Sequence, residues 1–171
     1  MVNIRGALKE DAEKLFPLIF KSKVTDTIQW DGPENFEAYQ KAIEEKSELH
    51  QAGKEHFFTI VEIQTEQPIG SISIRPDNTE VANIGFWIGE KFHGKGYGTK
   101  AVSQILDYGF NSLKLEIIEA FVFDGNFASR KVLEKNGLKF EKIIPKAITK
   151  RGRQLDEWKL SITRAQYNSI V

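Results

Sequence analysis

The sequence predicts a mixed α/β domain, and three stretches carry that prediction. Asn83 to Thr99 opens as a strand with Ile84, Phe86 and Ile88 on one face, then runs through glycines into a helix. Glu116 to Phe123 is a continuous apolar run of strand length, read as a strand buried on both faces, with a helix after Asp124-Gly125-Asn126. His56 to Ile63 and Pro68 to Arg75 are two β-rich runs around a Gln-Thr-Glu-Gln turn, which reads as an antiparallel hairpin. Strands interleaved with helices in this way build an α/β layer.

Each remaining element follows from its local signals. Val2 and Ile4 suggest a short first strand. Lys9 to Lys21 reads as a helix with Ala12, Leu15, Phe16 and Ile19 on one face, and Pro17 is expected to kink or split it. Thr25 to Pro33 is a polar loop carrying Trp30. Pro33 then stands at the start of a charged helix from Glu34 to about His50, closed by Gly53. Pro76-Asp77-Asn78 turns the chain into the strand Val81 to Ile88. The helix that follows shows Gly98, Ala101, Val102, Ile105, Leu106, Gly109, Phe110 and Leu113 stepping by three and four. In the next helix Ala128, Val132 and Leu133 are expected inside, and Gly137 supplies the left-handed residue past its end. Leu138 to Thr149 and Gln154 to Ile162 read as a closing hairpin, with a short helical tail from Arg164.

Composition bounds the function. A chain of 171 residues suits one domain, 1–171, with one sizeable core. Lys plus Arg and Asp plus Glu are 24 each, so no net field draws the chain to nucleic acid or to a membrane surface. No apolar run approaches a membrane span, and the first residues lack the regions of a signal peptide. The absence of cysteine fits the cytoplasm and excludes a cysteinyl acyl-enzyme. The three histidines do not have metal-ligand spacing, so no metal is expected.

The glycine turn points to a phosphate ligand. Strand, turn and helix start place unpartnered N–H groups at the positive end of a helix, and glycines let a diphosphate approach them. Gly94, Gly96 and Gly98 do not complete a dinucleotide fingerprint, because its third glycine falls at Thr99. Asp124 could mimic a ribose-binding acid, but the turn from Ile88 to Gly94 is too long for that fold. A Walker loop also fails, since Lys95 is followed by Gly96.

His93-Gly94-Lys95-Gly96-Tyr97-Gly98 resembles the Q/R-x-x-G-x-G/A pyrophosphate motif of the GNAT N-acetyltransferase superfamily. Asn126-Phe-Ala-Ser129, running on to Gly137-Leu138, resembles that family's second block, N-x-x-S-x-x-x-x-x-k-x-G-F. The pairing is most similar to the ribosomal-protein N-acetyltransferase branch, where asparagine and serine begin this helix. His93 departs from the family's usual Arg or Gln. The resemblance implies a mostly antiparallel sheet of about seven strands, splayed between the fourth and fifth to hold acetyl-CoA as co-substrate. It implies cofactor contacts from His93, Gly94, Lys95, Gly96, Tyr97, Gly98 and Thr99, from backbone groups near Trp87 and Ile88, and from Asn126. It also makes Trp30, Asp31, Asp26 and Glu34 acceptor contacts, because the first two helices and their loop form one wall of the acceptor site in that family.

The resemblance further implies an N-acetyltransferase acting on a primary amine, most simply a protein N-terminal α-amino group. The alternatives are a polyamine or an aminoglycoside as acceptor, or a coenzyme A-binding regulatory module without turnover. Ser129 is the expected donor to the departing thiolate, and Asn126 both caps its helix and touches the pantetheine or the amine. No general base stands out among Asn83, Glu55, His56, Asp156 and Glu157. The basic run Lys139, Lys142, Lys146, Lys150, Arg151 and Arg153 reads as a solvated hairpin, or as a contact for an acidic acceptor or the 3′-phosphate of coenzyme A. A monomer or homodimer is expected.

Overall fold

A computed structural model describes residues 1–171. In chain order it contains β1 Val2–Gly6, α1 Asp11–Ile19, α2 Phe36–Gln51, β2 His56–Glu62, β3 Gln67–Pro76, β4 Val81–Ile88, α3 Tyr97–Asp107, β5 Ile117–Phe123, α4 Phe127–Lys135, β6 Lys139–Lys150, β7 Arg153–Thr163 and α5 Arg164–Asn168. The strands form one sheet in the order β1-β2-β3-β4-β5-β7-β6. Every neighbouring pair is antiparallel except β4 with β5.

That parallel pair is also the weakest seam. β4 and β5 are in register only from Val81↔Ile117 to Ile84↔Ala120. Beyond it, β4 stays bound to β3 as far as Gly70↔Ile88, and β5 stays bound to β7 as far as Phe123↔Glu157. The upper halves of the two strands therefore diverge, each held by its outer neighbour. The splay expected between the fourth and fifth strands is present.

Two apolar clusters clamp the sheet. The larger packs Val102, Ile105, Leu106 and Phe110 from α3 and its extension against Ile72, Ile74, Ile84 and Ile118 on one face. The smaller packs Leu15 and Ile19 of α1 with Tyr39 and Ile43 of α2, next to Trp87, on the other. Burying a Leu or Ile side chain contributes about 1.5–3 kcal/mol, so these contacts and not helix propensity hold the helices in place. Asp11 joins the two layers. Its carboxylate accepts from Arg5 Nη1 and Nη2 at 2.8 and 2.7 Å, from the Leu8 N–H at 2.9 Å and from Thr59 Oγ1 at 2.6 Å. Burial pushes its carboxyl up, but the bonds from Arg5, Thr59 and Leu8 outweigh this and hold it below the usual carboxylate range.

Several local expectations need correction. α1 runs through Pro17 without splitting and ends two residues later. α2 is capped by Asn35, whose Oδ1 accepts from the Ala38 N–H at 2.8 Å, and not begun by Pro33. The periodicity beyond Asp107 is real, but the chain winds there as a π turn, Tyr108–Ser112. β5 is not buried on both faces: Phe121 is exposed, because the sheet opens beside it. Ala128 is exposed, and Val132 and Leu133 carry the packing of α4. No helix is long and apolar enough to cross a membrane.

Candidate active site

The splay opens into a cavity of about 740 Å³. Its floor is the face of β3 and β4 carrying Ser71, Ser73, Arg75, Asn83, Gly85 and Trp87, and its far wall is Phe121, Phe123, Asn126 and Ser129. α2 contributes Tyr39, Ala42, Ile43 and Lys46, and the loop before it contributes Thr27 to Trp30.

The glycine turn has the geometry of an anion cradle. Gly96 is the N-cap of α3 with φ +75°, and Gly94 has φ +76°, both left-handed. A Cβ at either would meet nothing within 4 Å, so the space over the helix start is open. The first turn of α3 carries no acidic residue and no side chain caps it, which leaves its N–H groups and dipole for an anion. Lys95 holds its ammonium over the rings of Phe92 and Tyr97, at 5.5 and 5.8 Å. The Tyr97 hydroxyl donates to Glu62 Oε1 at 2.5 Å, which pins the turn to the β2–β3 hairpin. The Thr99 carbonyl accepts from Asn136 Nδ2 at 3.1 Å, which ties α3 to the end of α4. These residues fit the diphosphate of a nucleotide thioester.

His93 does something the sequence did not suggest. Its Nε2 lies 2.7 Å from the Ile88 carbonyl oxygen, and since a carbonyl only accepts, that nitrogen carries the proton. The ring thus braces the end of β4 against the start of the turn. The Gly89 N–H donates to the Ile69 carbonyl at 2.9 Å, and this fixes the alternation along β4. Trp87 turns its carbonyl toward Gly70 on β3, and the backbone groups of Phe86 and Ile88 face the splay. Of the two positions expected to offer backbone groups there, Ile88 faces the gap, whereas Trp87 lines the cavity with its indole.

At the opposite lip, Asn126 Oδ1 accepts from the Ser129 N–H at 3.1 Å, capping α4 as its spacing predicted. Its Nδ2 also donates to the Thr27 carbonyl at 3.3 Å, so the same amide holds the α1–α2 loop. Ser129 is half-buried and lines the cavity, with its N–H taken by the cap.

The residues expected to form the acceptor wall divide. Trp30 is on the cavity, stacked on Tyr39 with ring centroids 5.9 Å apart. Asp31, Asp26 and Glu34 are not. They line a separate shallow hollow, because the β6–β7 turn draws the two aspartates outward. Lys150 Nζ donates to Asp31 Oδ1 at 2.8 Å and to the carbonyls of Trp30 and Gln29 at 3.2 and 3.5 Å, and Arg151 bonds Asp26 at 2.5 Å. The hydrogen bond from Lys150, together with its charge, holds the Asp31 carboxyl below the usual range. Lys150 is itself buried, so this part of the basic run is a clasp and not a solvated surface.

Among the base candidates, Glu55, His56 and Asn83 line the cavity. The Glu55 carboxylate is bridged by Lys46 Nζ at 3.4 Å. The His56 Nδ1 lies 3.0 Å from the Tyr108 hydroxyl, and burial, with His50 nearby, pushes the imidazole's pKa down. Asp156 accepts from the Lys146 N–H, and buried Glu157 accepts from Gln29 Nε2 at 2.7 Å, neither on the cavity. Tyr39 and Arg75 are lining residues that sequence reasoning missed. Tyr39 looks like one more apolar position of α2, and Arg75 looks like the polar end of a strand.

Comparison with known proteins decides the family. Residues 2–139 match the model of the Acetyltransferase (GNAT) domain. The chain belongs to the GNAT acetyltransferase family. The probable N-acetyltransferase YjcK of Bacillus subtilis is 34% identical over 138 residues, covering 79% of this chain and 76% of that one. A GNAT-family acetyltransferase of Bacillus anthracis superposes with a TM-score of 0.84 at 25% identity, over 95% of this chain and 94% of that one. The fold is also shared with RimL, a ribosomal L7/L12 alpha-N-protein acetyltransferase solved with coenzyme A, at a TM-score of 0.84 and 20% identity over 95% and 93% of the two chains. This GNAT chain is an acetyl-CoA-dependent N-acetyltransferase. Its glycine turn leaves an uncapped helix start, and its splayed strands open the cavity.

Proposed function

We propose that the chain moves the acetyl group of acetyl-CoA to the α-amino group of a protein or peptide N-terminus. The observation that carries this is the chemistry missing from the cavity wall. The one carboxylate that lines it, Glu55, is engaged by Lys46, and the one imidazole, His56, is engaged by Tyr108. A lysine side chain with pKa about 10.4 costs roughly 4.6 kcal/mol to deprotonate at pH 7, against about 1 kcal/mol for an α-amino group. A site with so little base suits the acceptor that needs least. A polyamine or aminoglycoside would bring several positive charges to a wall with one engaged carboxylate.

The residues present divide the work. The neutral amine nitrogen attacks the thioester carbonyl carbon, a C–N bond forms, and the carbonyl oxygen takes up the negative charge. A backbone N–H on the gap side of β4, from Phe86 or Ile88, is the donor nearest to hand for that oxyanion. The C–S bond then breaks, the sulfur leaves with its electron pair, and the Ser129 hydroxyl donates to it. The proton lost by the amine passes to water in the open cavity. Asn126 holds Ser129 and the acceptor loop in one frame.

The test is thiol release from acetyl-CoA with four acceptors: a peptide with a free N-terminus, the same peptide with a blocked N-terminus and an internal lysine, spermidine, and an aminoglycoside. Acetylation of the free α-amine, located by mass spectrometry, is expected. Turnover of spermidine or the aminoglycoside with none of the free peptide would overturn the reading.

A further inference from the structure

We infer that Arg75 is an anion-recognition residue of the acceptor site, and that the enzyme selects amines carrying a negative group, in a peptide an acidic residue next to the N-terminus. This rests on the acetyl-transfer reading above and goes beyond it by giving the acceptor a charge.

Four observations converge on Arg75. It lines the cavity on the same face of β3 as Ser71 and Ser73, and it is exposed to the open space there. It is paired with no carboxylate, unlike Arg5, Arg130, Arg151 and Arg164, which each have one within 4.0 Å. It is nonetheless held: Nε and Nη2 both donate to Asn83 Oδ1, at 3.0 and 2.8 Å, and Asn83 is oriented in turn by Asp77 Oδ1 at 3.3 Å from its Nδ2. The guanidinium lies over Gly85, where a built Cβ would come within 3.2 Å of Nη2, so the missing side chain makes room for it. A guanidinium oriented by a neutral amide keeps its full charge and leaves N–H groups free for a carboxylate or phosphate.

The surrounding charges do not cancel it. Glu55 is bridged by Lys46. Glu119, opposite Asn83 in β5, is bridged by Lys159 Nζ at 2.5 Å. Asp77 sits behind Asn83 and is exposed. Gly85 is two residues from Trp87 along β4, about 7 Å at strand rise. The anionic group and the reacting amine are then several bonds apart, which suits a side-chain carboxylate near an N-terminus better than the carboxylate of a free amino acid.

The experiment compares two matched sets of acceptors. One set is the peptides Ser-Asp, Ser-Asn and Ser-Lys followed by two alanines and an amide. The other is 4-aminobutanoate, 4-aminobutanol and 1,4-diaminobutane. The parent enzyme should favour the anionic over the neutral member by about tenfold in kcat/KM, the scale of a hydrogen bond to a charged group. Arg75→Leu should bring that ratio to near one, Arg75→Lys should restore part of it, and Arg75→Glu should favour the cationic member. KM for acetyl-CoA should not move in any variant. If only the small amines react, the N-terminal reading fails while the charge preference still stands or falls on its own ratio. If neither set turns over, the charge order is read by calorimetric binding to the coenzyme A complex. A parent with no preference for the anionic member, or an Arg75→Leu variant with an unchanged preference, overturns the inference.

Discussion

The Lys150 ammonium donates to the Trp30 carbonyl across 3.2 Å, joining residues 120 positions apart. With the bonds to Gln29 and Asp31 it fastens the turn between β6 and β7 to the loop that carries the stacked Trp30 over the cavity. Lys150→Met keeps most of the stem but removes the charge. It should lower stability by about 1.5–3 kcal/mol, the scale for a charged hydrogen bond. It should also raise KM for the acceptor while leaving acetyl-CoA binding unchanged, because the glycine turn lies elsewhere. Denaturation and steady-state kinetics check both parts, and an unchanged acceptor KM would uncouple the clasp from the site.

Ser129 and Asn126 should separate catalysis from architecture. If the Ser129 hydroxyl stabilises the departing thiolate, Ser129→Ala should lower kcat by about ten- to a hundredfold with little change in KM for acetyl-CoA. Asn126→Ala should do more, because its amide caps α4 and holds Thr27. It should cost about 1 kcal/mol in stability through the cap and raise KM for both substrates. A Ser129→Ala enzyme within twofold of the parent kcat, with chemistry rate-limiting, would remove that serine from the mechanism.

The glycines of the turn should not behave alike. Gly96 has φ +75°, so Gly96→Val should cost about 1–2 kcal/mol in backbone strain as well as obstructing the approach to the helix start. Gly98 sits inside α3, where a Cβ would lie 3.5 Å from Val132 Cγ2 in ordinary contact, so Gly98→Ala should fold as well as the parent. Circular dichroism with acetyl-CoA titration distinguishes them. Normal acetyl-CoA binding by a folded Gly96→Val protein would move the diphosphate site elsewhere.

Asp11 should govern acid stability. Its folded carboxyl lies below the ordinary value of 3.8, so its contribution is present above about pH 4 and is lost as pH falls through the lowered folded value. Asp11→Asn should cost about 2–3 kcal/mol near neutral pH, less than a fully buried pair because the Arg5 side chain is 36% exposed. The gap between parent and variant melting temperatures should narrow below pH 4. A gap that stays constant from pH 7 to pH 2 would show that the carboxylate charge is not what matters there.

The sequence by itself determined what short-range physics controls. The glycine turn from His93 to Gly98, the cap from Asn126 to Ser129 and the left-handed Gly137 are legible because φ, capping and helix periodicity act within a few residues. The same locality made the strand pattern readable, along with the family that those motifs resemble. Tertiary structure decided the rest, because it depends on what stands opposite. Asp31 looks like an acceptor contact until β7 enters between β5 and β6 and the turn after Lys150 pulls it away. Phe121 looks buried until the sheet opens at its side. The role inferred for Arg75 arises only because Asn83 and Gly85 face it from β4. Such neighbours follow from strand order and register, which no local run of residues encodes.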